Sequence, residues 1–312
     1  MTHELVSLGE GSTPLLRAAR LSEQIGADVW LKWEGANPTG SFKDRGMAVA
    51  VSKALEEGAR AVVCASTGNT AASAAAYAAR AGLPALILQP AGAVALGKLA
   101  QARAAGARVL AVRGSFDQAL GAALELAERG THALVNSVNP WRLEGQKTAA
   151  FELVDELGGP PDVLALPYGG GGNTCAYALG FEELGGELPR IVAAEAADRD
   201  KTVASAIRIV EPAHRERAEE AVARSGGEIV SVSDDAILAA WRRLAQEEGV
   251  FCEPSSAAGV AALEQIGVEA GATVVCVITG HGLKDPEVVE RSLPPVVEVD
   301  PDPVAIAKAA ES

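Results

Sequence analysis

Short, continuous apolar runs alternate with helical stretches along almost the whole chain, and this rhythm restricts what it can fold into. Residues 29–33, 61–65, 84–89, 108–112 and 133–135 mark the first half, and 163–166, 191–193, 228–231 and 273–278 the second. Between them lie alanine-rich or amphipathic segments, such as the one running to about Arg80 and the stretches 95–105 and 116–129. Strands covered by helices on both faces read as unbroken apolar runs, not as alternating ones. The pattern therefore predicts an α/β fold of open parallel sheets with helices on both faces. The runs are too many for one compact layer. Two domains are expected: a smaller one over residues 35–138, and a larger one from 1–34 and 139–312. The chain is 48% hydrophobic but only 4% aromatic, which suits small helix faces packed close to sheets.

Composition removes several function classes. A net charge of -14 over 312 residues argues against nucleic acid as a partner, although one pocket can be positive on a negative protein. Cys64, Cys175, Cys252 and Cys276 form no C-x-x-C pair and sit in or beside apolar runs, as reduced, buried thiols do. His3, His132, His214 and His281 are scattered, so no metal site is suggested. No signal segment and no membrane-length apolar run is present, and a soluble cytoplasmic protein is expected. The charge-rich stretch 211–225 reads as a solvated connector, and the tail from Pro294 as peripheral.

In open parallel sheets, ligands bind beyond the carboxyl ends of the strands, so the segments that follow the apolar runs carry the chemistry. After residues 29–33 come Asn37-Pro38-Thr39-Gly40-Ser41-Phe42-Lys43-Asp44-Arg45-Gly46. The turn residues end one element and fix the direction of the next, so Lys43 is aimed at one point. A surface lysine at a helix start is the plainer reading. A lysine that forms a Schiff base needs that aim and partial desolvation.

Ser66-Thr67-Gly68-Asn69-Thr70 opens the helix after 61–65. An ordinary N-cap needs one such side chain, and so many polar groups together suit a carboxylate or phosphate. Gly169-Gly170-Gly171-Gly172-Asn173-Thr174 follows 163–166. Consecutive glycines let backbone N–H groups wrap a phosphate. The spacing lacks the third glycine of the dinucleotide fingerprint, which disfavours a nicotinamide-binding domain. Gly92 to Lys98 matches the start of a P-loop, but Leu99 stands where a hydroxyl must hold magnesium. Asn136, Ser137 and Arg142, after 133–135, suit a tetrahedral anion, with Arg142 supplying the forked charge. A polar loop ending in a helix-starting arginine is about as good a reading of that segment alone. Thr279-Gly280-His281-Gly282 follows the last run and offers a neutral hydroxyl; His281 reads as a loop residue.

Together these give an aimed lysine, a glycine cradle, a neutral hydroxyl and further anion loops. Pyridoxal 5'-phosphate needs the first three, for its aldehyde, its phosphate and its ring nitrogen. The remaining loops would hold an amino-acid carboxylate and a second anionic group.

The same residues resemble a known family. Gly40 to Gly46 (GSFKDRG), Ser66 to Thr70 (STGNT), Asn136 to Thr148 (NSVNPWRLEGQKT) and Thr279 to Asp285 (TGHGLKD) are similar to the threonine synthases. That family belongs to the tryptophan-synthase-β-like, fold-type II pyridoxal phosphate enzymes. The likeness runs from about Gly9 to Pro286. It implies that Lys43 bonds the cofactor and moves protons, and that Asn69 meets its phenolic oxygen. It implies that Gly169, Gly170, Gly171, Gly172 and Asn173 hold the cofactor phosphate, and that Thr279 meets the pyridine nitrogen. Ser66, Thr67, Asn69 and Thr70 would hold the substrate carboxylate; Asn136, Ser137, Arg142 and Asn173 would hold its phosphate. The implied reaction converts O-phospho-L-homoserine and water to L-threonine and phosphate, in a homodimer.

Three departures from the family pattern stand out. Gly170 replaces an asparagine common in the cradle, the segment before Gly9 is short, and 198–201 is shortened at the rim. A glycine-only cradle is also common in threonine and serine dehydratases, which are the alternative within the fold. A non-catalytic anion-binding α/β protein is the alternative outside it.

Overall fold

A computed structural model describes residues 5–92 and 99–310. Ten strands run in chain order: β1 (Leu15–Arg17), β2 (Asp28–Trp33), β3 (Val62–Ala65), β4 (Ala85–Pro90), β5 (Arg108–Val112), β6 (Ala133–Leu134), β7 (Val163–Pro167), β8 (Arg190–Ala196), β9 (Glu228–Val232) and β10 (Thr273–Ile278). The helices are α1 (Ala19–Ile25), α2 (Lys43–Glu56), α3 (Asn69–Arg80), α4 (Ala100–Ala104), α5 (Phe116–Glu128), α6 (Pro140–Gln146), α7 (Thr148–Leu157), α8 (Gly172–Glu183), α9 (Arg215–Arg224), α10 (Asp234–Gln246), α11 (Ala258–Ile266), α12 (Glu287–Ser292) and α13 (Pro303–Ala310).

Two sheets form. One has six strands in the order β1-β2-β10-β7-β8-β9, the other four in the order β5-β4-β3-β6. All strand pairings are parallel except that of the edge strand β1 with β2, so the predicted α/β architecture is present. Every apolar run of the sequence became a strand, and β1, a three-residue edge, is the addition.

Alternation across the pleat divides the larger core into two layers. Val163, Ala165, Val192, Ala194, Val274 and Cys276 face one layer of helices, while Leu164, Leu166, Ile191, Ala193, Val275 and Val277 face the other. The smaller sheet does the same with Val62, Cys64 and Ile87 against Val63, Ala65 and Leu88. All four cysteines are buried free thiols.

Two expectations need adjustment. The stretch read as a solvated connector is α9, and it buries Ala218, Ala221 and Val222 in the core beside Ile191 and Ala193. Their i, i+3, i+4 spacing is an apolar stripe hidden among charges. The helix expected over 95–105 is described only as α4, because Gly92 to Lys98, the P-loop look-alike, lies mostly outside the described residues. The tail is peripheral as expected, since α13 buries no side chain. No helix of the described residues is long and apolar enough to cross a membrane.

Candidate active site

Five strands of the two sheets deliver the candidate residues from their carboxyl ends. Beyond β2 lies the turn leading to Lys43, beyond β3 the Ser66–Thr70 loop, and beyond β6 the Asn136 loop. Beyond β7 lies the glycine run, and beyond β10 the segment starting at Thr279. Parallel strands place such ends along one edge.

Lys43 is the first residue of α2. Its position is fixed by backbone pairing between the lysine turn and the end of β10. Phe42 N–H donates to Thr279 O at 3.0 Å, and His281 N–H donates to Gly40 O at 2.9 Å. Asp44, fully buried, accepts from Thr39 N and Thr39 Oγ1, both at 2.6 Å, which tightens the turn from inside. Burial and the nearby Arg142 charge lower the Lys43 pKa to about 7, so a large fraction of its amine is neutral at neutral pH.

Two motif glycines explain how Arg142 comes so close. A Cβ on Gly46 would sit 2.4 Å from Arg142 O, and one on Gly145 would sit 2.0 Å from Arg45 O. Only bare main chain lets α2 and α6 touch in this way. Arg142 is 1% exposed; its guanidinium donates to Val135 O at 2.9 Å and to Lys43 O at 3.4 Å, and its Nε has no partner among the described residues. Among the described residues no carboxylate pairs with it. Burial lowers its pKa to about 10, so it stays charged at pH 7. Cys64 lies nearby, but burial pushes its thiol up to about 12, and a neutral thiol is no counter-ion. An unpaired buried cation is costly, and this one is placed to receive an anion.

The Ser66–Thr70 residues are all half-buried at the start of α3, whose first N–H groups lack intrahelical partners. Asn69 Nδ2 donates to Glu253 Oε1 at 2.9 Å and Oε2 at 3.2 Å. Glu253, 4% exposed, was not singled out from sequence. The signal for it is Gly280, whose missing Cβ would lie 2.3 Å from the Glu253 carboxylate. Thr279 Oγ1 lies 3.0 Å from Ser256 Oγ, which also accepts from Gly280 N at 2.9 Å. Ser256, on a 3-10 turn (Pro254–Ala257), was likewise missed. His281 is structural: its ring stacks on Trp33 at 6.1 Å and its Nδ1 accepts from Leu283 N at 3.1 Å.

The glycine run leaves β7 and starts α8. Gly171 has φ +81°, a left-handed conformation suited to glycine. The amides of Gly169, Gly170 and Gly171 make no recorded backbone bond among the described residues, and the Asn173 Nδ2 and Thr174 Oγ1 atoms are buried without partners. Donors are thus concentrated at a helix N-terminus, the arrangement that takes a phosphate. Arg199 supports the run, with its guanidinium 4.9 Å over the Tyr168 ring and bonded to Ile209 O at 2.9 Å.

The Asn136 loop is brought beside this run. Asn136 itself is engaged in part: Oδ1 accepts from Ala65 N at 2.9 Å and Nδ2 donates to Ala65 O at 2.8 Å. In this structure its side chain holds the loop against β3. The second Nδ2 hydrogen of Asn136, with Ser137 and Arg142, is left to face a ligand.

Behind the site runs a buried ion network that sequence reading did not find. Arg45 binds Glu34 at 2.7 Å and Glu152 at 2.6 Å, and Lys32, with no exposed side chain, binds Glu152 at 2.9 Å and Glu156 at 2.7 Å. It ties the lysine helix α2 to β2 and α7. Glu152 is held down to about 2 by its bonds to Arg45 and Lys32, against the raising effect of burial.

Comparison with known proteins agrees with this geometry. Residues 6–280 match the family described as pyridoxal-phosphate dependent enzyme. The chain is 52% identical to the threonine synthase of Halalkalibacterium halodurans, covering 90% of this chain and 85% of the relative. It is 52% identical to that of Synechocystis sp. over 98% of this chain and 86% of the relative, and 50% identical to that of Mycobacterium tuberculosis over 97% and 90%. Among solved structures, a T.th. threonine deaminase superposes with a TM-score of 0.72 at 30% identity, covering 86% of this chain and 92% of that one. Maize serine racemase, at 24% identity, shares the fold with a TM-score of 0.78 over 89% and 91%.

Proposed function

The chain belongs to the threonine synthases among the pyridoxal-phosphate dependent enzymes, and on that premise we propose that its cleft takes O-phospho-L-homoserine and water to L-threonine and phosphate. The residues fit pyridoxal 5'-phosphate: an amine with its pKa lowered to about 7, a run of glycine amides with no backbone bond among the described residues, and a neutral hydroxyl pair at the end of β10. Bound, the cofactor supplies an electron sink that lets the amino acid lose protons at Cα and Cβ.

The rest is the work of side chains. The partly neutral Lys43 amine would take and return the proton at Cα, a task that needs a pKa near the working pH. Gly169 to Asn173 would hold the cofactor phosphate, and Asn69 would orient the ring from its phenolic side. The Ser256–Thr279 hydroxyls would meet the ring nitrogen without forcing a charge on it. Ser66, Thr67 and Thr70, with the α3 N-terminus, would bind the substrate carboxylate. Ser137, Arg142 and Asn173 would bind the substrate phosphate and stabilise it as it departs from Cγ, with Asn136 holding their loop in place.

The observation that carries the phosphorylated substrate is Arg142, a buried cation beside the Lys43 main chain with no ion pair among the described residues. A dehydratase acting on free threonine would leave that charge without a partner. The side-chain-free Gly170 is the feature that favours the dehydratase. The purified protein should absorb in the visible range and release phosphate and threonine from O-phospho-L-homoserine in equal amounts. Production of 2-oxobutyrate from threonine, with no phosphate released from phosphohomoserine, would replace this reading with the dehydratase.

A further inference from the structure

His214 sits where the two anion loops meet, and nothing in the reaction above uses it. Its main-chain N–H donates to Gly170 O at 3.0 Å, and its own carbonyl accepts from Ala218 N at 3.0 Å to start α9. A Cβ on Gly171 would lie 3.1 Å from His214 O, and one on Gly172 would lie 3.4 Å from His214 Cδ2. The imidazole therefore lies flush against the first residue of α8. Its Nε2 is 2.9 Å from Ser137 O. A carbonyl only accepts, so Nε2 carries the hydrogen.

The histidine thus joins main chain of the glycine run to main chain of the Asn136 loop. Asn136, next to Ser137, fixes the near end of the loop to Ala65, Arg142 on Val135 fixes the far end, and the Ser137 carbonyl between them is held from the side of the glycine run by His214. We propose that His214 is a positioning residue that sets specificity for the phosphorylated substrate, by seating the substrate-phosphate loop on the cofactor-phosphate loop. This rests on the threonine synthase reading. Two phosphates bound by adjacent loops need a fixed separation, because the donors of each must stay within hydrogen-bond reach of its own anion. An amino acid without a phosphate does not engage the Ser137 and Arg142 loop, so its binding should not depend on the histidine.

The test uses holoenzyme, in which the glycine run is filled by cofactor, and inorganic phosphate as a probe of the second loop. His214→Phe keeps a ring against Gly172 and removes the donor. His214→Gln keeps an N–H that reaches the same carbonyl. Phosphate binding is read by calorimetry, L-homoserine binding by the cofactor's visible absorbance, and KM from phosphate release. His214→Phe should weaken phosphate binding and raise KM for O-phospho-L-homoserine about tenfold, the worth of one buried hydrogen bond. Its kcat and its L-homoserine binding should hold, and His214→Gln should recover most of the loss. Equal phosphate binding in wild type and His214→Phe overturns the proposal, as does a glutamine variant as weak as the phenylalanine one. Thermal unfolding identifies a variant that has lost its fold, and His214→Ala then takes its place. If wild type releases no phosphate from phosphohomoserine, the reaction assigned above fails, while the binding comparison still decides the role of His214.

Discussion

Replacing Arg142 with methionine should separate stability from phosphate recognition. Burial lowers the Arg142 pKa from its ordinary value to about 10, which costs the charged form about 3 kcal/mol in the folded protein. The sign follows from the direction: a base with a depressed pKa destabilises the fold at every pH below about 10, and the penalty is relieved only as pH rises from there toward the ordinary guanidinium range. At pH 7 the cost is present in full. Against it stand the bonds to Val135 O at 2.9 Å and Lys43 O at 3.4 Å; a well-formed bond from a charged donor contributes about 1.5–3 kcal/mol and a long one less. Methionine fills similar volume without charge, so the net change should fall within about 2 kcal/mol of zero, a shift of a few degrees in Tm. Recognition should behave differently. Losing a forked, charge-assisted contact of about 3 kcal/mol raises KM for O-phospho-L-homoserine about 100-fold. Thermal unfolding of holoenzyme with and without inorganic phosphate reads both effects. Phosphate at 100 times its wild-type Kd should stabilise wild type by about 2.7 kcal/mol and Arg142→Met by only about 0.4 kcal/mol. A variant that loses more than about 4 kcal/mol yet gains as much stability from phosphate as wild type would show that Arg142 is a structural group and that the anion binds elsewhere.

Two further outcomes follow from Lys43 and the paired glycines. With its pKa near 7, the Lys43 amine is protonated below that pH and neutral above it. Recombination of apoprotein with pyridoxal phosphate should therefore accelerate between about pH 6 and pH 8, and stopped-flow absorbance showing a midpoint near 10 would refute the desolvated lysine. In Gly145→Ala the added methyl would meet Arg45 O at 2.0 Å, main chain that cannot swing aside. Urea unfolding should show a loss of about 3 kcal/mol or more, with kcat reduced about 100-fold as Lys43 and Arg142 are displaced. Gly121→Ala in α5, where nothing lies within 4 Å of the new atom, should be neutral or stabilising by up to about 1 kcal/mol, and a loss there equal to that of Gly145→Ala would remove the contact argument.

The strands were legible because buried parallel strands are written as local apolar runs, and the loops because strand ends are where a parallel sheet exposes its backbone. Lys43, Asn69, the glycine run and Thr279 each follow such an end, so sequence order alone located them. What stayed hidden was pairing over long separations. Glu253 reaches Asn69 across 184 positions and Arg45 reaches Glu152 across 107; no local pattern marks either. His214 was read as one of four scattered histidines, and the stretch around it as a solvated connector, although Ala218, Ala221 and Val222 in that stretch already carry helical spacing and could have shown that it packs. Asn136 shows the same limit. Its residue type suggested a ligand contact, and the sequence did not show that its amide also pairs with the Ala65 backbone.

A chain with a net charge of -14 builds an anion site by disposing of its buried carboxylates first. Glu34 and Glu152 are taken up by Arg45 and Lys32, Asp44 by the Thr39 turn, and Glu253 accepts from Asn69. Each of these lies within or directly behind the cleft, and each is held by donors that fix its direction. Among the described residues, Lys43 and Arg142 make no salt bridge at the junction of α2 and α6, although the Glu253 charge acts on Lys43 and the Asp44 charge on Arg142. The Arg142 charge adds to burial in driving Lys43 toward the neutral amine that proton transfer requires. Arg142, a guanidinium that cannot readily lose its proton, remains the fixed positive pole. Overall acidity and local anion binding are therefore compatible, because the field at the site is set by which charges are left unpaired within a few ångströms. The remaining surface carboxylates lie in water, where screening limits their reach.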